Sequence, residues 1–239
     1  MTYARDMQKI QNNLHISNIF RTFAQNSYSM ETQIKSLLNL DEIIKKKDND
    51  NKVLDLKSLA ESIMNEVCIF NGKHTYHPIE IEFYIYDKKN HADIHVYPRK
   101  AKVGDIFFHL SGMDICFESS FEEKEGTIRF GGILIRALER EDGKRFGGPL
   151  TCKDEVLNTA IMKCLVMSCE KLEKKVSENI HKRKGLENKG ENDKFYNALY
   201  RFFRDDFYIK KRIIMEDDSF DFKDHKLNES HKRYYKIDD

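Results

Sequence analysis

The sequence has no run of about 18 apolar residues, and no apolar stretch follows its first residues, MTYARDMQKIQNNL. A membrane-spanning helix needs such a run, and a secretion signal needs an apolar core behind its charged start. We therefore expect no contact with a membrane and a cytoplasmic location.

The chain also has little excess of either charge, because 41 Lys and Arg face 40 Asp and Glu, a net charge of +1. A nucleic-acid partner would therefore need a local basic patch. The five cysteines include no CxxC pair, which argues against a zinc site or a disulfide framework. We interpret them as reduced, mostly buried thiols that pack in the interior.

Short motifs for nucleotide binding and for a serine nucleophile are missing as well. There is no GxGxxG, no P-loop and no GxSxG, and the Gly-rich stretch 143–148 lacks the Lys-Ser/Thr ending of a phosphate cradle. We expect no cofactor.

What is present predicts one α+β domain over residues 1–215, with a charged C-terminal segment at 216–239 whose composition is typical of disorder. Apolar spacing predicts helices over Asp55–Phe70 and Lys153–Ile180. Between them, strands are predicted over 79–86, 105–111, 112–117 and 132–138. Short Gly-containing connections favour antiparallel pairing, so we expect a curved, mainly antiparallel sheet flanked by helices.

The predicted strand IEIEFYIY at 79–86 alternates apolar with polar or aromatic residues. Successive side chains of a strand point to opposite faces, so Glu80, Glu82 and Tyr84 should share one face. A carboxylate that orients a water beside an aromatic ring suits hydrolysis of a planar substrate, whereas an ordinary exposed strand face would show the same pattern.

Residues 79–150 resemble the alkyladenine (3-methyladenine) DNA glycosylases. The family has an E-T-E-A-Y-like strand, a histidine-containing loop, a Y-V-Y-x-x-Y-G-M-x-x-C-x-N-like stretch, and L-L-R-A-L-E-P. In the same order this chain has EIEFY at 80–84, His91 and His95, FFHLSGMDICFE at 107–118, and ILIRALE at 133–139.

The resemblance implies a role for each matching position. Glu82 matches the general base that activates water, and Arg136 matches an arginine near the catalytic centre. The implied base-binding residues are Tyr84 and Phe108, which would stack on a flipped base, and His95 or His91, which would line its pocket.

Two positions depart from the family pattern. Ser111 stands where the family inserts a tyrosine into the duplex, and Glu118 stands where an asparagine screens the edge of the base. Glu82, Tyr84 and Arg136 favour an N-glycosylase of base-excision DNA repair that acts on a modified purine or other unusual base. Ser111 and Glu118 favour a non-catalytic protein that binds a nucleotide or small ligand on the same scaffold.

A metal-dependent hydrolase that uses Glu80, Glu82 and Asp87 is a third hypothesis. His91 and His95 could also hold a metal, but a spacing of four residues brings two rings together on a helix, and their surroundings indicate a loop. We therefore predict no metal site.

The clearest nucleic-acid footprint is the segment 181–212, in which ten Lys and Arg outnumber five Asp and Glu. Aromatic residues are interleaved with these charges, a combination that suits contact with phosphates and exposed bases. We predict that DNA binds here, although buried aromatics with a solvated charged face would give the same pattern.

Overall fold

The computed structural model describes residues 32–45, 53–122, 127–190 and 193–207. The predicted C-terminal segment 216–239 and residues 208–212 of the basic segment lie outside these ranges. The helices are α1 (32–37), α2 (Leu40–Lys45), α3 (Lys57–Glu66) and α4 (Pro149–Thr159). The strands are β1 (Val67–Phe70), β2 (Thr75–Asp87), β3 (His91–Ala92), β4 (Ile106–His109), β5 (Gly112–Cys116), β6 (Ser120–Glu122), β7 (Thr127–Arg140), β8 (Arg145–Gly147), β9 (Leu165–Ser168) and β10 (Arg201–Phe203).

These ten strands form one antiparallel sheet that curls into a half-barrel. Its main path runs β4-β5-β7-β2-β1-β9, while β10 and β3 also pair with β2, and β6 and β8 also pair with β7. The predicted single α+β domain with a curved, mainly antiparallel sheet and flanking helices is confirmed.

The two long strands β2 and β7 form the centre of the sheet. Ile81, Phe83 and Ile85 are completely buried on one face of β2, and their neighbours Ile133 and Ile135 on β7 join the same core. The alternation seen in the sequence therefore correctly predicts which face of β2 packs inward.

A β-bulge interrupts this alternation near the start of β2. The pairing with β7 shifts between Pro78 and Glu80 and again between Glu80 and Ile81. Because a bulge resets the side-chain parity, Ile79 leaves the main core and packs in a smaller cluster with Ala137, Phe203 and Phe207.

Helix α3 buries the predicted apolar face, but it ends at Glu66 instead of Phe70. Residues Val67–Phe70 form strand β1, which pairs with β2 on one side and β9 on the other. Backbone hydrogen bonds from two neighbouring strands outweigh the continuation of one helix in this β-branched and aromatic sequence.

The prediction of one long helix over Lys153–Ile180 is wrong. Helix α4 ends at Thr159, and β9 follows at Leu165–Ser168. Buried Asn71 explains the ending, because its side-chain amide donates to the Val156 carbonyl at 3.0 Å and its backbone carbonyl accepts the Ile161 N–H at 3.0 Å. These bonds satisfy backbone groups that a longer helix would have paired internally.

Within the described ranges, no helix is both long enough and apolar enough to cross a membrane.

Candidate active site

Glu82 lies in the middle of the sheet, opposite Leu134 of β7 and Arg201 of β10. Its side chain is 0% exposed. An isolated buried carboxylate would be strongly destabilising, so its environment must supply hydrogen bonds and positive charge.

Three groups surround this carboxylate. The Lys184 backbone N–H donates to Oε1 at 2.8 Å, and the Arg136 Nη1 lies 3.2 Å from the same oxygen. The Tyr84 hydroxyl donates to Oε2 at 3.1 Å. The structure thus brings together Glu82, Tyr84 and Arg136, the three residues to which the resemblance gives a role at the reacting centre.

Arg136 links the two glutamates of β2. Its Nε donates to Glu80 Oε1 at 3.3 Å, and Arg201 Nη1 lies 3.8 Å from that same oxygen. Burial raises the pKa of Glu82 above its ordinary value, while the positive charge of Arg136 acts in the opposite direction. Glu82 is therefore a stronger base than a solvated glutamate.

The ring of Tyr84 is covered by Arg183, whose guanidinium carbon lies 4.7 Å from the ring centroid. Arg183 is held in turn by an ion pair with Asp93 at 2.6 Å, and both side chains are 0% exposed. Burial also raises the pKa of Tyr84 well above its ordinary range, so its hydroxyl keeps its proton and acts as a donor. One face of the ring is thus already occupied by a cation.

A second carboxylate, on β5, lies on the same side of the sheet as Glu82. Asp114 and Glu82 both pair with Leu134, so the two carboxylates lie on the same face of the sheet with one residue between them. Asp114 is 4% exposed and accepts hydrogen bonds from Arg99 and, at 3.3 Å, from His109. We call this surface the Glu82 face; it comprises Glu82, Tyr84, Arg136, Asp114, His109 and Phe107.

The strand register corrects the assignment of Phe108. Phe108 pairs with Met113 and packs against the main core, on the side opposite Glu82. Its neighbour Phe107 pairs with Asp114, is 42% exposed, and lies under the guanidinium of Arg99. The exposed ring that could stack on a planar ligand is therefore Phe107.

His91 and His95 belong to a separate buried cluster. His91 Nε2 lies 3.4 Å from the Tyr200 hydroxyl, and its ring meets Phe195 edge-on. His95 Nε2 lies 2.8 Å from Asp193 Oδ2. Burial lowers the pKa of His91 to about 4, so this ring is neutral at physiological pH. The hydrogen bonds of both histidines tie down the chain around 193–200 and do not reach Glu82.

Glu118 also lies away from Glu82. It is exposed, accepts the Val103 N–H at 2.9 Å, and lines a surface cavity together with Asp41 and Arg129. In the part of the chain that the structure describes, no three His, Cys, Asp or Glu side chains are grouped as a metal would require. Glu80 and Glu82 face arginines, and Asp87 binds the backbone of Lys89 and Asn90.

Much of the basic segment is interior structure. Its buried aromatics are Phe195, Tyr200, Phe202, Phe203 and Phe207, and its buried arginines are Arg183 and Arg204. Lysines 182, 189 and 194 are exposed, and Lys182 lies over the ring of Tyr196 at 5.8 Å. The interleaved aromatics are thus mainly core residues, as the alternative interpretation of this pattern expects.

Sequence reasoning missed several residues of the site. Asp114 and His109 could have been found from strand parity, because both lie on the same face of the β4–β5 hairpin as Phe107. No local signal marks Arg99, Arg183 or the Lys184 backbone, because each reaches the face from a loop. Comparisons of the chain with models of protein families, with curated proteins and with solved structures found no match.

Proposed function

We propose that this protein is a DNA base-excision N-glycosylase that hydrolyses the N-glycosidic bond of a modified purine or other unusual base. The observation that carries the proposal is the buried contact of Glu82 with Arg136 and Tyr84. These are the positions that match the general base, the catalytic arginine and a base-contacting tyrosine in the resemblance.

The chemistry assigned to Glu82 is removal of a proton from water. Attack of that water on the sugar carbon breaks the bond to the base, through a transition state in which the sugar ring becomes positively charged. The raised pKa of Glu82 makes its carboxylate a better proton acceptor, and Arg136 favours the ionised form that a base requires. Tyr84 holds the second oxygen of the carboxylate in place.

The substrate base would approach from the exposed ring of Phe107, which is 42% exposed beside Asp114. Because Glu82 is 0% exposed, the loop whose Lys184 N–H covers it would have to move to admit the sugar. A base stacked on Phe107 would meet the carboxylate of Asp114, which can accept hydrogen bonds from exocyclic amino groups. This geometry favours a base that presents donors.

A second candidate is a non-catalytic binding protein on the same scaffold. It is favoured by two contacts: both oxygens of Glu82 already accept hydrogen bonds, and Arg183 covers the Tyr84 ring. A nucleotide would then occupy the Phe107 side of the face without any bond being broken.

The substitution Glu82→Gln distinguishes the two candidates. It keeps the side-chain size but removes the proton acceptor, so base release from oligonucleotides that carry alkylated, deaminated or oxidised bases should fall by at least about a hundredfold. Oligonucleotide binding should change little. Glu80→Gln is the matched control, because Glu80 contacts the same Arg136 and lies two residues away.

Release of free base is measured by chromatography, and binding by fluorescence anisotropy. Equal loss of base release in both variants would assign the effect to Arg136 rather than to Glu82. Binding without release by the wild type across the whole panel would replace the glycosylase proposal with the binding protein.

A further inference from the structure

A second group of reactive side chains lies on strands β1, β2 and β9, away from the Glu82 face. In the β1–β9 pairing, Cys68 is opposite Met167, and Cys169 follows at the end of β9. In the β1–β2 pairing, Ile69 is opposite Tyr76, so His77 is the next residue beside Cys68. Residues two apart on a strand share a face, which places both thiols and the imidazole on the same side of the sheet.

Direct contacts connect the three side chains. Cys169 Sγ lies 3.7 Å from His77 Nδ1, and it also lies 3.9 Å from the Asn65 carbonyl oxygen. The strand register places Cys68 beside Cys169 on this face. The neighbouring Cys68 and His77 lower the pKa of Cys169, whereas Cys169 and burial raise the pKa of Cys68.

The two thiols differ in access to solvent. Cys169 is half-buried and lines a surface cavity of about 480 Å³ with Leu37, Glu66 and Lys171, whereas Cys68 is 4% exposed. A small oxidant can therefore reach Cys169, and Cys68 is its diagonal neighbour on the adjacent strand. The other cysteines lack this environment: burial raises the pKa of Cys116 to about 11 and also raises the pKa of Cys152 and Cys164.

The position of Cys169 differs from the sequence prediction. The predicted helix Lys153–Ile180 contains Cys169, whereas in the structure Cys169 follows strand β9. There its sulfur meets residues that are distant in sequence, His77 being 92 positions away. The spacing of cysteines in the sequence contains no trace of this contact.

We propose that Cys169 is a peroxide-reactive thiol and that Cys68 resolves its oxidised form into a Cys68–Cys169 disulfide. In the first step the Cys169 thiolate attacks one oxygen of a hydroperoxide; the O–O bond breaks, and sulfenic acid and hydroxide or an alkoxide form. In the second step the Cys68 sulfur attacks the sulfenic sulfur, the S–O bond breaks, and water leaves. The peroxide is reduced by two electrons and the two thiols are oxidised.

The strand pairing brings the two cysteines near each other. Cys68 lies opposite Met167 on β9, and Cys169 is two residues further along, so the two cysteines are diagonal neighbours. Diagonal neighbours of a sheet are within reach of each other's side chains, and Cys169 is the first residue after β9. The end of β9 can therefore adjust without breaking the rest of the sheet.

To test this, the reduced full-length protein is treated with hydrogen peroxide. The remaining thiols are then blocked, and the disulfides are mapped by peptide mass spectrometry. A Cys68–Cys169 link should form in the wild type. Cys68→Ser should instead accumulate sulfenic acid at Cys169, detected with dimedone, and Cys169→Ser should yield neither product. Cys164→Ser, which changes another partly exposed thiol, should behave as the wild type.

A rate measurement keeps the proposal testable if a serine variant folds poorly. At about pH 6, iodoacetamide should alkylate Cys169 of the wild type about tenfold faster than Cys164, because the greater thiolate fraction outweighs its lower intrinsic nucleophilicity. His77→Gln should remove part of this advantage. Equal alkylation of Cys164 and Cys169, or peroxide-induced links that do not join Cys68 to Cys169, would overturn the proposal.

Discussion

Glu82 combines complete burial with a cation and two further hydrogen-bond donors. Each contact stabilises the charged carboxylate, yet the cost of removing it from water is larger, and its pKa is raised. The same balance has consequences for stability. A carboxyl group whose folded pKa exceeds its unfolded value binds its proton more tightly in the folded state.

A pH-dependent difference between wild type and Glu82→Gln follows. From the ordinary value of 4.5 up to the raised folded pKa of Glu82, the folded state holds more protons, so the stability that Glu82 contributes falls as pH rises. Glutamine does not titrate. Thermal unfolding between about pH 4 and pH 7 should therefore show the Tm of the variant gaining on that of the wild type as pH increases. Parallel curves would contradict the raised pKa.

The strands show where sequence patterns succeed and where they stop. Alternation in β2 correctly predicts that Glu82 and Tyr84 share a face and that Phe83 and Ile85 are buried. The bulge beside Glu80 has no comparable signal, and it moves Ile79 into a different cluster. Matching residues by order alone selected Phe108, whereas strand register selects Phe107.

The loops show the harder limit. Arg183 and the Lys184 N–H complete the surroundings of Glu82, but Lys184 lies 102 positions away in the sequence. Local periodicity reports which face of an element is buried, and it does not identify the distant segment that covers that face. The shared face of Glu82 and Tyr84 could therefore be predicted, whereas the loop that places Arg183 and Lys184 over them could not.

Gly131 tests the tight contact between the two central strands. Its φ is +153°, and a Cβ there would lie 2.2 Å from the Tyr84 carbonyl oxygen. Gly131→Ala must separate β7 from β2, so we expect a loss of about 2–4 kcal/mol in the free energy of unfolding by urea. Gly143→Ala is the control; its φ is +81° but nothing lies within 4 Å, so about 1 kcal/mol is expected. Similar losses in both variants would mean that strand contact at Gly131 is unimportant.

The β4–β5 hairpin offers a test of duplex binding that depends on the proposed function. Its tip residue Leu110 is 95% exposed, and Ser111 beside it is too small to act as a wedge. Apolar side chains inserted between base pairs help to bend or open DNA. Leu110→Ala should weaken binding to a duplex with one modified base by about three- to tenfold, measured by anisotropy, while Tm stays unchanged.

Ile161→Ala is the matched control for that hairpin variant. Ile161 is also a large, exposed apolar residue, at 73% exposure, but it lies beyond the other end of α4. Unchanged binding by Leu110→Ala, or equal weakening by Ile161→Ala, would exclude a specific role for the hairpin tip.

At the scale of the whole molecule, the last described part of the chain completes the centre of the sheet. Strand β10 pairs with β2 at Glu80–Glu82, and the preceding loop places Arg183 on Tyr84 and the Lys184 N–H on Glu82. Helices α3 and α4 pack against strands on either side of this centre. The candidate site is thus bounded by segments from both halves of the chain.

This arrangement sets the order of events during synthesis on the ribosome. Strand β2 emerges early and can pair with β7 as soon as β7 has been synthesised. The opposite edge of β2, at Glu80–Glu82, pairs with β10, which leaves the exit tunnel much later. Contacts between distant segments form late, and unpaired strand edges invite association with other chains. Glu80 and Glu82, together with Arg136 of β7, keep this unpaired edge charged, and the charge opposes premature pairing between nascent chains.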